Sequence, residues 1–200
     1  MKRLQIIIIL GFIYTWSYCQ IIADHNVVDK FDDIPEYYLN EIKKMWLTVP
    51  GESHSYAYRY GLTALETLYP AYSVSVVESG TPQPYTESNL RASRATWGDL
   101  NNSTGWIYSY GEEDWFTSIT AIDRTKAGIT YCNTHSLTIG AMGFGWCWDP
   151  GILDMTDYLN ATQEYINYCS LNSYPTKIFF TTGTVDSYTG ETGYYKHLAY

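Results

Sequence analysis

The sequence predicts an α/β fold, a three-layer α/β/α domain around a mostly parallel sheet. Three observations carry that reading. Short apolar runs of strand length alternate with longer amphipathic stretches of helix length. Clusters of Pro, Gly, Ser and Asn fall between them, where each strand-to-helix connection needs a turn. Finally, 200 residues with 46% hydrophobic and 16% charged side chains supply one sizeable core and exclude a disordered chain.

The elements follow in order. Lys2 and Arg3 precede an apolar run from Ile6 to Ile13, and Ser17-Tyr18-Cys19 closes it before Gln20. A basic start, a short apolar stretch and a small-residue end predict a secretory signal peptide over residues 1–19, hence a secreted, periplasmic or cell-envelope protein. The run is too short for a membrane span, so none is expected in the mature chain. Trp16-Ser17-Tyr18 makes a poor lipobox for lipid anchoring at Cys19. Residues 20–200 then form a single domain. Asp24 to Asp33 is a polar lead, and Pro35 opens a helix through Lys44 with Tyr38, Ile42 and Met45 on one face. Met45 to Val49 reads as a buried strand, and Pro50-Gly51-Glu52 turns the chain. Ser53 or Ser55 caps a helix to about Tyr69, with Tyr58, Leu62, Leu65 and Leu68 or Tyr69 as its apolar stripe. Leu65→Ala on that stripe is expected to cost roughly 2–5 kcal/mol.

Ser73 to Val77 is the next strand, and Leu90 to Thr96 an extended segment ending at Trp97-Gly98. Residues 99–118 read as a loop rich in Asn, Gly and aromatics. Helices are expected from Ile119 to Cys132 and from Met155 to Cys169, the latter with Tyr158, Thr162, Tyr165, Ile166 and Cys169 inward. Leu137 to Trp146 and Lys177 to Thr182 are strands. Glu191 to Tyr200 begins a helix that stops abruptly.

Composition narrows the function. A net charge of −9 argues against nucleic-acid partners, which need clustered Lys and Arg. The 21 Tyr and 7 Trp suit sugar or peptide contacts, since their rings join a flat apolar face to a polar edge. Export permits disulfides. Cys132 and Cys169 each end a helical stretch before a strand, on one edge of the sheet, and are expected to bridge; Cys147 falls on the opposite edge. No Cys-x-x-Cys or His-x-x-x-His spacing supports a metal site, and no cofactor is expected.

Ligands of such sheets bind beyond the carboxyl ends of the strands. Three motifs land there: Gly51-Glu52-Ser53-His54-Ser55, Gly143 to Asp149, and Thr182-Gly183-Thr184-Val185-Asp186. A serine between a strand end and a helix N-terminus meets backbone N–H groups and a helix dipole that favour developing negative charge. It becomes a nucleophile if a base reaches it. The plainer alternative makes Ser53 and Ser55 helix caps and His54 an exposed loop residue.

Gly51-Glu52-Ser53 after the first strand resembles the Gly-Asp-Ser block of the SGNH/GDSL hydrolases. The order of later blocks is similar too: Gly98 after an extended segment, then Gly145-Trp146-Cys147-Trp148, then Phe179-Phe180-Thr181-Thr182-Gly183-x-x-Asp186. Together they resemble a divergent group of secreted bacterial members, over roughly Trp46 to Tyr200. The resemblance implies a flavodoxin-like sheet and an esterase acting on small-molecule or carbohydrate esters. It makes Ser53 the nucleophile and the N–H groups of Ser53 and Gly98 oxyanion donors. His54 is the base candidate nearest in sequence, and Trp97, Gly145, Trp146, Trp148, Asp149 and Asp186 line the substrate site. Two features depart from the family pattern. Gly145 to Asp149 lacks the asparagine that donates to the oxyanion, and no Asp-x-x-His block appears, so the C-terminal part of the domain is expected to be missing. The rival reading is a non-catalytic carbohydrate- or surface-binding protein on the same scaffold. A phosphate-handling enzyme lacks the expected Lys, and Glu112-Glu113-Asp114 reads as a solvated run rather than a glycosidase pair.

Overall fold

The computed structural model describes residues 25–50, 53–77, 84–97, 106–108, 117–144 and 156–181; at 25, 53, 54, 95–97 and 106–108 it describes the backbone alone. Two compact units divide the chain, Met1–Ile34 and Pro35–Tyr200. The first holds a helical turn at His25–Val28 and a 3-10 turn at Phe31–Asp33. All else described belongs to the second.

Pro35 precedes α1 (Glu36–Lys43), where its fixed φ suits a helix start and its carbonyl accepts from Tyr38 and Leu39. Lys44 and Met45 lead directly into β1 (Trp46–Thr48). Then come α2 (Ser53–Leu68), β2 (Val74–Val77) and β3 (Leu90–Ser93). A hairpin-like pair follows, β4 (Ala95–Trp97) and β5 (Trp106–Tyr108). The chain continues with α3 (Ile119–Thr134), β6 (Ile139–Met142), α4 (Thr156–Leu171) and β7 (Lys177–Ile178).

Five strands form one sheet in the order β2-β3-β1-β6-β7, and every pairing in it is parallel. Helices alternate with these strands, giving the α/β class that the sequence predicts. The chain runs from β1 through α2 toward one edge, and from β3 and β6 toward the other. Right-handed crossovers therefore put α2 on one face and α3 with α4 on the opposite face. In agreement, α3 and α4 pack on each other while α2 contacts β2. The order has one feature of its own: β3 lies between β2 and β1, whereas flavodoxin-like sheets run 2-1-3-4-5. Burial explains the placement. All four residues of β3 are buried, as an inner parallel strand requires, while β2 is half-buried along its length and takes the edge.

Most of the core lies between the sheet and α3 and α4, where Ile129, Met142, Phe144, Tyr158, Ala161, Tyr165 and Cys169 cluster. The inward face of α4 is the expected one, except that Ile166 is turned outward. Ser118 caps α3 by accepting from the Ala121 N–H at 3.2 Å. Pairing of β1 with β6 slips by one residue at Gly140, where a Cβ would meet Met45 within 2.6–2.9 Å, so the bulge needs glycine there.

Four expectations are corrected. The bridge between Cys132 and Cys169 is absent: both are buried free thiols. Cys132 packs with Trp46 and Ile139, and Cys169 sits in the separate cluster around Met142 and Phe144. The stripe of α2 is rotated, with Tyr58 and Leu68 exposed and Ser55 and Arg59 buried instead. In α1, Tyr38 is likewise exposed. The extended segment from Leu90 breaks at Arg94, and the second half pairs antiparallel with 106–108, inside the stretch that reads as loop. Among the described residues no helix is long and apolar enough to cross a membrane.

Candidate functional site

The carboxyl edge of the sheet is built around β1. The chain leaves β1 toward β2 and leaves β6 toward β7, so the direction of travel reverses between these two neighbouring strands, the point at which parallel sheets commonly bind ligands. Hydrogen bonds fix the strand ends past the last ladder residues. The Val49 N–H donates to the Ser93 carbonyl at 2.9 Å, and the Gly143 N–H to the Thr48 carbonyl at 3.1 Å. The Phe179 N–H donates to Met142 at 2.9 Å, and the Thr181 hydroxyl to the Phe144 carbonyl at 2.6 Å. Thr48, Val49, Ser93, Met142, Phe144 and Thr181 are all buried, giving a rigid floor. Gly143 lies against the Phe179 ring so closely that a Cβ there would overlap it.

Ser53 opens α2 only four residues after Val49. The helix N-terminus therefore follows the central strand at the carboxyl edge, where its dipole favours negative charge. Beneath it lies Arg59, 1% exposed. Its Nη1 donates to the Val49 carbonyl at 2.9 Å, the Ser55 carbonyl at 3.0 Å and the Ser55 hydroxyl at 3.1 Å. One cation thus ties the end of β1 to the first turn of α2.

No family model, no curated protein and no solved structure matches this chain.

The expected site residues divide into three sets. The backbones of Ser53 and His54 begin α2 at the carboxyl edge, and Trp97 ends β4. Gly98, Gly145, Trp146, Trp148, Asp149 and Asp186 lie outside the described residues, as do Cys19, Cys147 and the segments 1–19 and 191–200. His135, which the sequence places before its strand, caps the C-terminus of α3 at the amino edge. Its ring stacks on Tyr131 at 3.8 Å and Nδ1 bonds the Tyr131 carbonyl at 2.9 Å, so it belongs to the helix end. Among the described residues no group of three His, Cys, Asp or Glu side chains is gathered for a metal.

Perturbed ionisations lie in the core and at the amino edge. Burial pushes the Cys132 thiol up to about 12, against the opposing pull of the Arg91 charge. Burial also raises the Tyr165 hydroxyl and the Cys169 thiol. The residue that sequence reading missed is Arg59. Its signal was the Ser55-x-x-x-Arg59 spacing, which stacks the two side chains on one helix face in line with Leu62.

Proposed function

We propose that this chain is a secreted serine esterase of the SGNH/GDSL type, with esters, acylated carbohydrate among them, as its substrate class. One observation carries the reading: Ser53 begins a helix directly after the central strand, at the carboxyl edge of a parallel sheet. There the Ser53 oxygen would attack the ester carbonyl, and the helix N-terminus would favour the oxyanion. Breaking the acyl–oxygen bond would release the alcohol with the serine's proton and leave an acyl-enzyme, which water then hydrolyses to the acid and free Ser53. The backbone N–H groups of Ser53 and Gly98 are the proposed donors. Attack needs a base for the hydroxyl proton. His54 is the candidate that this turn offers, whereas His135 is held at the opposite edge. Trp97, Trp146 and Trp148 would present aromatic faces to a sugar, with Gly145, Asp149 and Asp186 completing the substrate site.

One feature favours a second reading. The run from Gly145 to Asp149 has no asparagine to serve as a third oxyanion donor, a loss worth about 2.7–4 kcal/mol in the barrier. A carbohydrate- or surface-binding protein on the same scaffold would not need one. A fluorophosphonate probe followed by peptide mass mapping separates the two. An esterase carries one adduct on Ser53, abolished by Ser53→Ala. Absence of the adduct from the folded protein rejects the esterase and leaves the binding reading.

A further inference from the structure

We propose that Arg59 is a positioning residue of the Ser53 turn, fixing its geometry and charge from below; the proposal rests on the esterase reading. The argument starts from where its bonds go. The Arg59 guanidinium reaches the carbonyl of Val49, the residue at which the chain leaves β1, and both the carbonyl and the hydroxyl of Ser55 in the first turn of α2. Val49 and Ser55, which flank Ser53 in the sequence, are therefore held by a single side chain. A nucleophile needs the backbone on either side of it held in place to meet its substrate in one geometry.

Packing alone does not explain an arginine here. The site is fully buried, and the neighbouring positions of this face, Leu62 and Ser55, show that short or apolar side chains fit it. A cation buried near a helix N-terminus is opposed by the helix dipole and loses its hydration. A leucine would fill the space without either cost. What the guanidinium supplies that leucine cannot is the Nη1 donor shared by the Val49 and Ser55 oxygens, and a positive charge beside the first turn of α2. That charge works in the same direction as the dipole on an oxyanion forming at Ser53. Arg59 touches no substrate in this arrangement; it acts through the turn.

The test compares the full chain with Arg59→Lys, Arg59→Met and Ser55→Ala, using Ser53→Ala as background. Two readouts are taken on proteins shown to be folded by circular dichroism: the rate of fluorophosphonate labelling at Ser53, and hydrogen exchange of the peptide spanning residues 50–56. Labelling is expected to slow at least tenfold in Arg59→Met, less in Arg59→Lys, and exchange to speed up at least tenfold in both. Ser55→Ala keeps the Val49 bond and should change each by less than threefold. Wild-type labelling and exchange in a folded Arg59→Lys or Arg59→Met protein overturn the positioning role while leaving the esterase reading intact. If the native chain itself fails to label, the esterase reading falls, and exchange at the native rate in Arg59→Lys then removes the clamp as well.

Discussion

Two buried arginines anchor opposite edges of the sheet, and neither is visible as such in a hydropathy pattern. Arg59 serves the carboxyl edge. Arg91, on β3, serves the amino edge, where Nη2 donates to the Leu137 carbonyl at 2.7 Å and the Lys44 carbonyl at 3.2 Å, the points where the chain approaches β6 and β1. Its guanidinium lies 5.4 Å from the Trp46 ring and 5.6 Å from Tyr85, so aromatic faces offset part of its desolvation. Cys132 lies in the same region and gives a pH prediction. Its thiol ordinarily ionises near 9.0 but is held up to about 12 by burial. Between those values the unfolded chain has lost a proton that the folded chain keeps, so stability is fully present below pH 9 and falls as pH rises. The slope from this one group reaches about 1.4 kcal/mol per pH unit, and the raised Cys169 and Tyr165 act in the same sense. Urea unfolding from pH 8 to 11 should show the decline, and Cys132→Ala should make it shallower. An equally steep decline in that variant assigns the effect elsewhere.

At the scale of elements, α2 is where the sequence misleads. Its tyrosines and leucines outnumber its buried positions, so several apolar registers fit the pattern equally well. The hydrogen-bonding demand of Val49 and Ser55 selects the register that buries Arg59 and turns Tyr56, Tyr58 and Tyr60 outward. Tyr56 and Tyr60 then stack on the surface with centroids 5.8 Å apart. Leu65 is only half-buried in this register, so Leu65→Ala should cost about 2 kcal/mol, at the floor of the range expected for a core leucine. Chemical denaturation measures it; a cost above about 4 kcal/mol means the helix is rotated from the present register. By contrast, the inward face of α4 was legible, because Tyr158, Thr162, Tyr165 and Cys169 recur at helical spacing against a polar remainder. The β4–β5 pair was not legible. Its partners are brought together only by the path of the chain, and three-residue strands carry too little alternation to be seen.

For the molecule as a whole, the sequence alone determined the α/β class, the place of α1 to α4 and of the inner strands to within a few residues, and the start of α2 at Ser53 after the first strand. Those features follow from local periodicity, from Pro and Gly at turns and from capping residues, all of which act over a few positions. The proposed leader also rests on local information, and lies outside the described residues. Export of the full chain from a bacterial host should leave Gln20 as the new N-terminus. An unprocessed Met1 on the secreted protein contradicts a cleaved signal peptide. Tertiary structure decided the rest. It set the order β2-β3-β1-β6-β7, because burial on both faces draws β3 inward past β2. It kept Cys132 and Cys169 apart, because each thiol fills a different cluster although both end helices on the same edge. And it buried Arg59, because the Val49 carbonyl, past the last ladder residue of β1, takes a donor that only the packed arrangement of strand and helix puts within reach.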